Sequence, residues 1–244
     1  FAQKIFSNLD LCLASSKESY KYLKNLGVEN IKFIGNLKFS QSQKGKVAID
    51  KKLKNFLLNK KVWSASSTHQ NEEVICGLVH IQLKRKIKNL LTIIIPRHIN
   101  RCTQIKKDLE KLNLVVHTIG SHNNLKKNTD IFLINSYGKT KIFFNNSEHV
   151  FLGGSLIKHG GQNPLEPAML GCNILHGPYV NNFKEIYKFL ERNGISQKIL
   201  SQRHLIKTLE KLFNKRKEPN KTQKKLKMIG KNILEKSYNH INLN

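Results

Sequence analysis

Residues 151–167 read FLGGSLIKHGGQNPLEP, and the stretch runs from an apolar strand through two glycine pairs into a helix start. His149, Val150, Phe151 and Leu152 form the strand, Gly153-Gly154-Ser155 and Gly160-Gly161 the turns. Asn163-Pro164-Leu165-Glu166-Pro167 predicts the helix, with Asn163 as its N-cap and Pro164 in its first turn. Glycine lets backbone approach a ligand closely. A helix N-terminus offers unpaired N–H groups and partial positive charge to an anion. Glu166, in that first turn, is placed where a carboxylate meets ribose hydroxyls. The layout suits the phosphate of a nucleotide sugar; the simpler alternative is a strand–loop–helix junction whose glycines serve only the turn.

Outward from this stretch the same beat repeats. Strands are expected at residues 11–15, 31–34, 62–65, 90–95, 114–118, 131–134 and 173–175. Helices are expected at 16–26, with Ser16 as cap and Gly27 as stop, and near 50–58, 71–86, 99–112, 183–190 and 202–238. In the 71–86 helix, Ile75, Leu78, Val79 and Leu83 share one face. Short apolar strands alternating with helices predict an α/β fold, a Rossmann-like parallel sheet with helices on both faces. Residues 40–46 are polar without apolar period and read as a linker.

The chain has 244 residues, with 43 Lys+Arg against 16 Asp+Glu for a net charge of +27. Such a charge attracts polyanions and anionic headgroups. The cations are spread through residues 44–61, 84–88, 106–111 and 207–227, without the interleaved aromatics of a base-stacking surface. A specific nucleic-acid binder is therefore not expected, and a Lys-, Asn- and Ile-rich composition by itself decorates every exposed face. Cys12, Cys76, Cys102 and Cys172 have no CxxC pairing and predict buried, unpaired thiols in a reducing compartment. No apolar run reaches the length of a membrane span. No acid cluster of the DxD kind predicts a metal, and no cofactor is expected.

In open parallel sheets ligands sit at the carboxyl ends of the strands. Two further loops there carry chemistry: Ser66-Ser67-Thr68-His69, ahead of a helix opening with Glu72 and Glu73, and Pro96-Arg97-His98. The first reads alternatively as simple N-capping. In the second, Arg97 offers a planar fork of donors to phosphate or carboxylate oxygens.

Residues 63–73 (WSASSTHQNEE), Pro96-Arg97-His98 and GGSLIKHGGQNPLEPAML together resemble the C-terminal half of the 3-deoxy-D-manno-octulosonic acid (Kdo) transferases. Gly35-Asn36-Leu37-Lys38-Phe39 and Gly177-Pro178 with Asn182-Phe183 add to the likeness, which runs collinearly over residues 9–195. The resemblance implies a two-domain GT-B glycosyltransferase that moves Kdo from CMP-Kdo to a lipid A precursor at the cytoplasmic face of the bacterial inner membrane. On that pattern residues 1–39 are the tail of an N-terminal acceptor domain, 40–46 the linker, and 47–244 the nucleotide-sugar domain with its basic C-terminal helices. The general base, a glutamate in the family, is then expected upstream of Phe1.

Carried over by position, Arg97 with His98 meets the anionic part of the donor, and Asn163 and Glu166 meet the CMP moiety. Gly154 and Ser155 line the cleft, with Ser67, Thr68 and His69 nearby. Tyr137 and Gly138 belong to a cytosine-side loop that departs from the pattern: Asn135 and Lys139 stand where the family has acids. Two other readings stay open: another GT-B nucleotide-sugar enzyme, of GlcNAc transferase or epimerase type, and a non-catalytic basic module that binds polyanions.

Overall fold

A computed structural model describes residues 1–40, 51–119, 126–138, 140–215 and 221–241. The molecule divides into two compact units, Phe1–Lys44 with Gln223–Asn244, and Gly45–Thr222.

The smaller unit opens with α1 (Ala2–Phe6), β1 (Cys12–Ala14), α2 (Lys17–Asn25) and β2 (Ile31–Phe33). β1 and β2 pair in parallel across α2. Ser16 Oγ caps α2 by accepting the Ser19 N–H at 2.9 Å, and Gly27 ends it at φ +82°. Both signals were visible in the sequence.

The larger unit runs α3 (Lys51–Leu57), β3 (Lys61–Thr68), α4 (Glu72–Lys84), β4 (Leu90–Pro96), α5 (Cys102–Glu110), β5 (Val116–Ile119) and β6 (Ile131–Ile134). It continues with α6 (Thr140–Asn145), β7 (His149–Leu152), α7 (Leu165–Met169), β8 (Asn173–His176), α8 (Lys184–Arg192), β9 (Ser196–Lys198) and α9 (Gln202–Asn214). The expected helix over 99–112 is a 3-10 turn, Ile99–Arg101, leading into α5. β9 has no counterpart among the expected strands. Its Ser-Gln-Lys buries only Ser196, so no apolar pattern marks it.

Residues of the last helix, α10 (Lys221–Ile241), group from Gln223 onward with the smaller unit rather than with residues 45–222. Gly230 explains the approach, since a Cβ there would lie 2.2 Å from the Phe39 carbonyl oxygen. The expected linker lies, from residue 41 to 46, outside the described residues.

Seven strands form one parallel sheet in the order β5-β6-β4-β3-β7-β8-β9. Alternate residues feed two cores. Trp63, Ala65, Ile94, Leu133 and Phe151 pack with Val79 and Leu83 of α4, Leu109 of α5 and Leu205 of α9. Val62, Leu91, Ile93, Phe132 and Ile134 pack on the other face with Leu57 and Phe143. Burying such side chains stabilises by about 1.5–3 kcal/mol each, which is why strands covered on both faces read as continuous apolar runs. At the amino end of the sheet Asp130 closes a buried network, pairing with Lys84, contacting His80 Nε2 at 3.3 Å and accepting the Val115 N–H at 2.9 Å.

β3 lies between β4 and β7. The chain leaves β3 for β4 on one side and later returns to pair β7 on the other. The connections at the carboxyl ends of β3 and β7 therefore diverge, which opens a crevice where doubly wound sheets bind ligands.

Candidate functional site

The loop leaving β3 forms one wall. A register shift between Ser66 and Thr68 bulges the strand, and Ser67 (φ +55°) and Asn71 (φ +74°) adopt left-handed backbone. Neither Ser67 nor Thr68 caps α4, whose N-cap is Asn71 without a side-chain bond. The capping alternative is thereby excluded. Thr68 Oγ1 and His69 Nε2 are buried without a hydrogen-bond partner among the described residues.

The opposite wall is the loop leaving β7, and Glu72 ties it to the first. Glu72 is fully buried. Its Oε2 accepts the N–H groups of His69 (3.0 Å) and Gly154 (2.7 Å), and its Oε1 those of Ser155 (3.2 Å) and Leu156 (3.1 Å). Gly153 leaves room for this: a Cβ there would lie 2.6 Å from the Ser67 carbonyl oxygen and 2.7 Å from Glu72 Oε2. Three amides of the glycine loop are thus committed to a protein carboxylate.

Ser155 was expected to line the cleft. It is fully buried, accepts the Gly177 N–H at 2.8 Å and donates to the Leu152 carbonyl. It braces the loop from behind and does not line the crevice. Further along, Gly161 N–H donates to Gly154 O at 2.8 Å, Asn182 N–H to Gly160 O at 3.1 Å, and Tyr187 hydroxyl to Gln162 O at 2.8 Å. The glycine loop is held on every side.

Three imidazoles gather at the crevice. The His69 ring lies 3.9 Å from that of His159 and 6.0 Å edge-on from that of His98, centroid to centroid. Burial, reinforced by His159, His98, Arg101 and Arg97, pushes His69 down to about 4, so it is neutral near pH 7. It is a hydrogen-bonding group there and a weak base. Arg97 and His98 are exposed after β4, with Arg97 N–H donating to Thr68 O at 3.0 Å. Glu73 and Arg101 form a two-point ion pair at 2.9 and 3.1 Å that fixes α4 against the turn after β4.

Tyr137 and Gly138 follow β6, two strands from β3, hence roughly 10 Å to the side. Tyr137 is exposed and Gly138 takes φ +76°, with Ser136 Oγ buried behind them; Lys139 lies outside the described residues. On the other flank, α7 begins one residue later than expected. Pro164 is its N-cap, while Asn163 Oδ1 accepts the Leu165 N–H at 3.1 Å. Asn163 is exposed and Glu166 half-buried. α7 is five residues long, so individual N–H groups rather than a macrodipole are what it offers.

Glu72, His159, Gly177 and Arg101 were not singled out as site residues in the sequence. His159 lay inside the quoted stretch and Glu72 inside the second motif, but nothing in one sequence tells a buried bridging acid from a surface one. The four cysteines are buried thiols, and burial raises those of Cys76 and Cys102. Among the described residues no group of His, Cys, Asp or Glu is arranged to hold a metal ion.

No family model matches the chain. It is 30% identical over 217 residues to the 3-deoxy-D-manno-octulosonic acid transferase of Haemophilus influenzae, a match covering 87% of this chain and 51% of that protein. The crystal structure of the C-terminal CMP-Kdo binding domain of WaaA from Acinetobacter baumannii superposes with a TM-score of 0.64 at 24% identity, covering 75% of this chain and 93% of that one. A putative UDP-N-acetylglucosamine 2-epimerase from Listeria monocytogenes gives 0.60 at 15% identity, over 99% and 62% of the two chains. Both structural likenesses concern the fold, an α/β Rossmann-like sheet of GT-B type. Along most of its length this chain is similar to 3-deoxy-D-manno-octulosonic acid transferases, and it spans about half the length of the curated relatives it matches.

Proposed function

We propose that this chain is the donor-binding part of a glycosyltransferase that moves Kdo from CMP-Kdo to a lipid A precursor in lipopolysaccharide synthesis. The observation that carries the reading is the switch-point crevice. Two loops are bolted together by Glu72; His69, Arg97 and His98 follow β3 and β4, while His159, Asn163 and Glu166 follow β7. The likeness to the Kdo transferases supports CMP-Kdo as the donor.

In the reaction the anomeric carbon of Kdo exchanges its bond to CMP for one to an acceptor hydroxyl. Negative charge grows on the departing phosphate. With three glycine-loop amides committed to Glu72, that charge falls to Arg97, His98 and the residues leading into α7. Groups already in place stabilise it without reorganising. Glu166 accepts from the ribose hydroxyls, and Asn163 orients the same moiety. Neutral His69 contributes its orphaned Nε2 as a hydrogen-bonding atom. The acceptor's proton needs a base tuned near working pH. His69, held at about 4, is too weak. The base belongs to the rest of the complete enzyme. Among the described residues no helix is long and apolar enough to cross a membrane; the +27 charge favours attraction of the chain to an anionic inner-membrane surface.

Calorimetric titration tests this. At a fixed salt concentration CMP-Kdo is expected to bind much more tightly than UDP-N-acetylglucosamine. Equal affinity for both would favour a general nucleotide-sugar enzyme. Salt-sensitive binding of heparin without any nucleotide preference would favour the polyanion module.

A further inference from the structure

Acids in the first turn of a helix are commonplace, because they complement the positive end of its dipole from the surface. Glu72 departs from that pattern. It is fully buried, and its carboxylate turns away from α4 to meet four backbone N–H groups on two loops. Its neighbour Glu73 makes an ordinary ion pair with Arg101. No ion pair among the described residues involves Glu72, so amide dipoles alone answer its charge, in the manner of an anion held in a nest of N–H groups.

The division of labour between its oxygens is informative. Oε2 bridges the two walls of the crevice, His69 on one and Gly154 on the other. Oε1 holds Ser155 and Leu156, fixing the direction in which the glycine loop leaves β7. There is no slack, since even a Cβ on Gly153 would meet Oε2 at 2.7 Å. The carboxylate occupies, from inside the protein, the place an anion would take if this loop were a phosphate cradle.

We propose that Glu72 is a positioning residue for donor binding: it sets the separation of the two walls and withholds the glycine-loop amides from anions, leaving the donor's charge to Arg97 and the histidines. The proposal rests on the donor reading above. Glu72→Gln is the discriminating change. Each carboxylate oxygen serves two N–H groups, so whichever way the new amide turns, its NH2 faces a pair of N–H donors. Satisfied acceptors become clashes on one side of the crevice.

The test combines two-dimensional amide NMR, thermal melting and calorimetry with CMP-Kdo on the wild type, Glu72→Gln and Glu72→Ala. Asp130→Asn, at the far end of the sheet, serves as a control that loses stability away from the loops. Glu72→Gln is expected to stay folded, to shift the His69, Gly154, Ser155 and Leu156 amides, and to bind CMP-Kdo at least about tenfold more weakly. Asp130→Asn should melt lower and bind as before. Glu72→Ala exposes the amide nest, so added acetate should restore part of its CMP-Kdo affinity. Unchanged CMP-Kdo affinity in a folded Glu72→Gln protein, an equal loss in Asp130→Asn, or global unfolding of both Glu72 variants would each overturn the proposal. A wild type that binds no CMP-Kdo would count against the donor reading, and the four amide shifts would then decide whether Glu72 bridges the loops.

Discussion

The Gly177 N–H donates to Ser155 Oγ at 2.8 Å, and a Cβ on Gly177 would stand 2.0 Å from the Ser155 carbonyl oxygen. The loop after β8 is thus pressed backbone to backbone against the glycine loop after β7. Tyr179 N–H strengthens the contact by donating to Ser155 O at 3.0 Å. The three atoms nearest a Cβ on Gly177 are all backbone, so no flexible side chain gives way there.

Gly177→Ala should therefore lose about 3 kcal/mol, at the upper end of overpacking costs. Denaturant unfolding measures it. A midpoint within error of wild type would mean that the two loops separate easily, contrary to the rigid crevice described here.

Glu166→Gln is expected to weaken CMP by roughly 1.5–3 kcal/mol, the worth of a hydrogen bond to a charged acceptor. Its melting temperature should hold, because Glu166 sits half-buried at the first turn of a short helix. Unchanged CMP affinity by calorimetry would return Glu166 to a purely local role in α7.

Arg97→Ala should cost more affinity for CMP-Kdo than for cytidine, since the assigned contact is with an anion. Arg97→Lys restores only part, lacking the planar fork. Equal losses for the two ligands would remove Arg97 from the anion site.

Stability should fall on mild acidification. His69 has a folded-state value of about 4 against its ordinary 6.5, so between these the unfolded chain binds a proton that the native protein refuses. Its contribution is complete above about pH 6.5 and is lost progressively towards pH 4. Burial lowers His80 and His176 as well, in the same sense. His69→Asn should flatten the slope of melting temperature against pH in this window, and an unaltered slope would show that His69 is not the group responsible.

Much of the fold was legible because strands buried on both faces leave unmistakable apolar runs: Ile131–Ile134 matched its expected limits. β9 was not, since an edge strand of Ser-Gln-Lys carries no apolar pattern. Nor was the placement of α10, whose basic amphipathic sequence says that it packs but not on what. At the crevice the sequence marked the glycines, Arg97 and the histidine loop, because each has a distinctive chemical type. It did not show that the Ser155 hydroxyl is buried, and it passed over Glu72. A hydroxyl or carboxylate reads the same in sequence whether it faces ligand or backbone, and only the switch-point topology brings residues 69, 72 and 154 together.

Donor binding at the β3–β7 crevice is tested most directly by mapping CMP-Kdo onto the amide NMR spectrum of the protein. The expected result is saturable shifts concentrated in residues 67–71, 97–98 and 154–166, with the lysine-rich α9 and α10 unaffected. Shifts confined to α9 and α10 that vanish on adding salt, with the crevice silent, would contradict the account and identify the chain as a polyanion-binding surface.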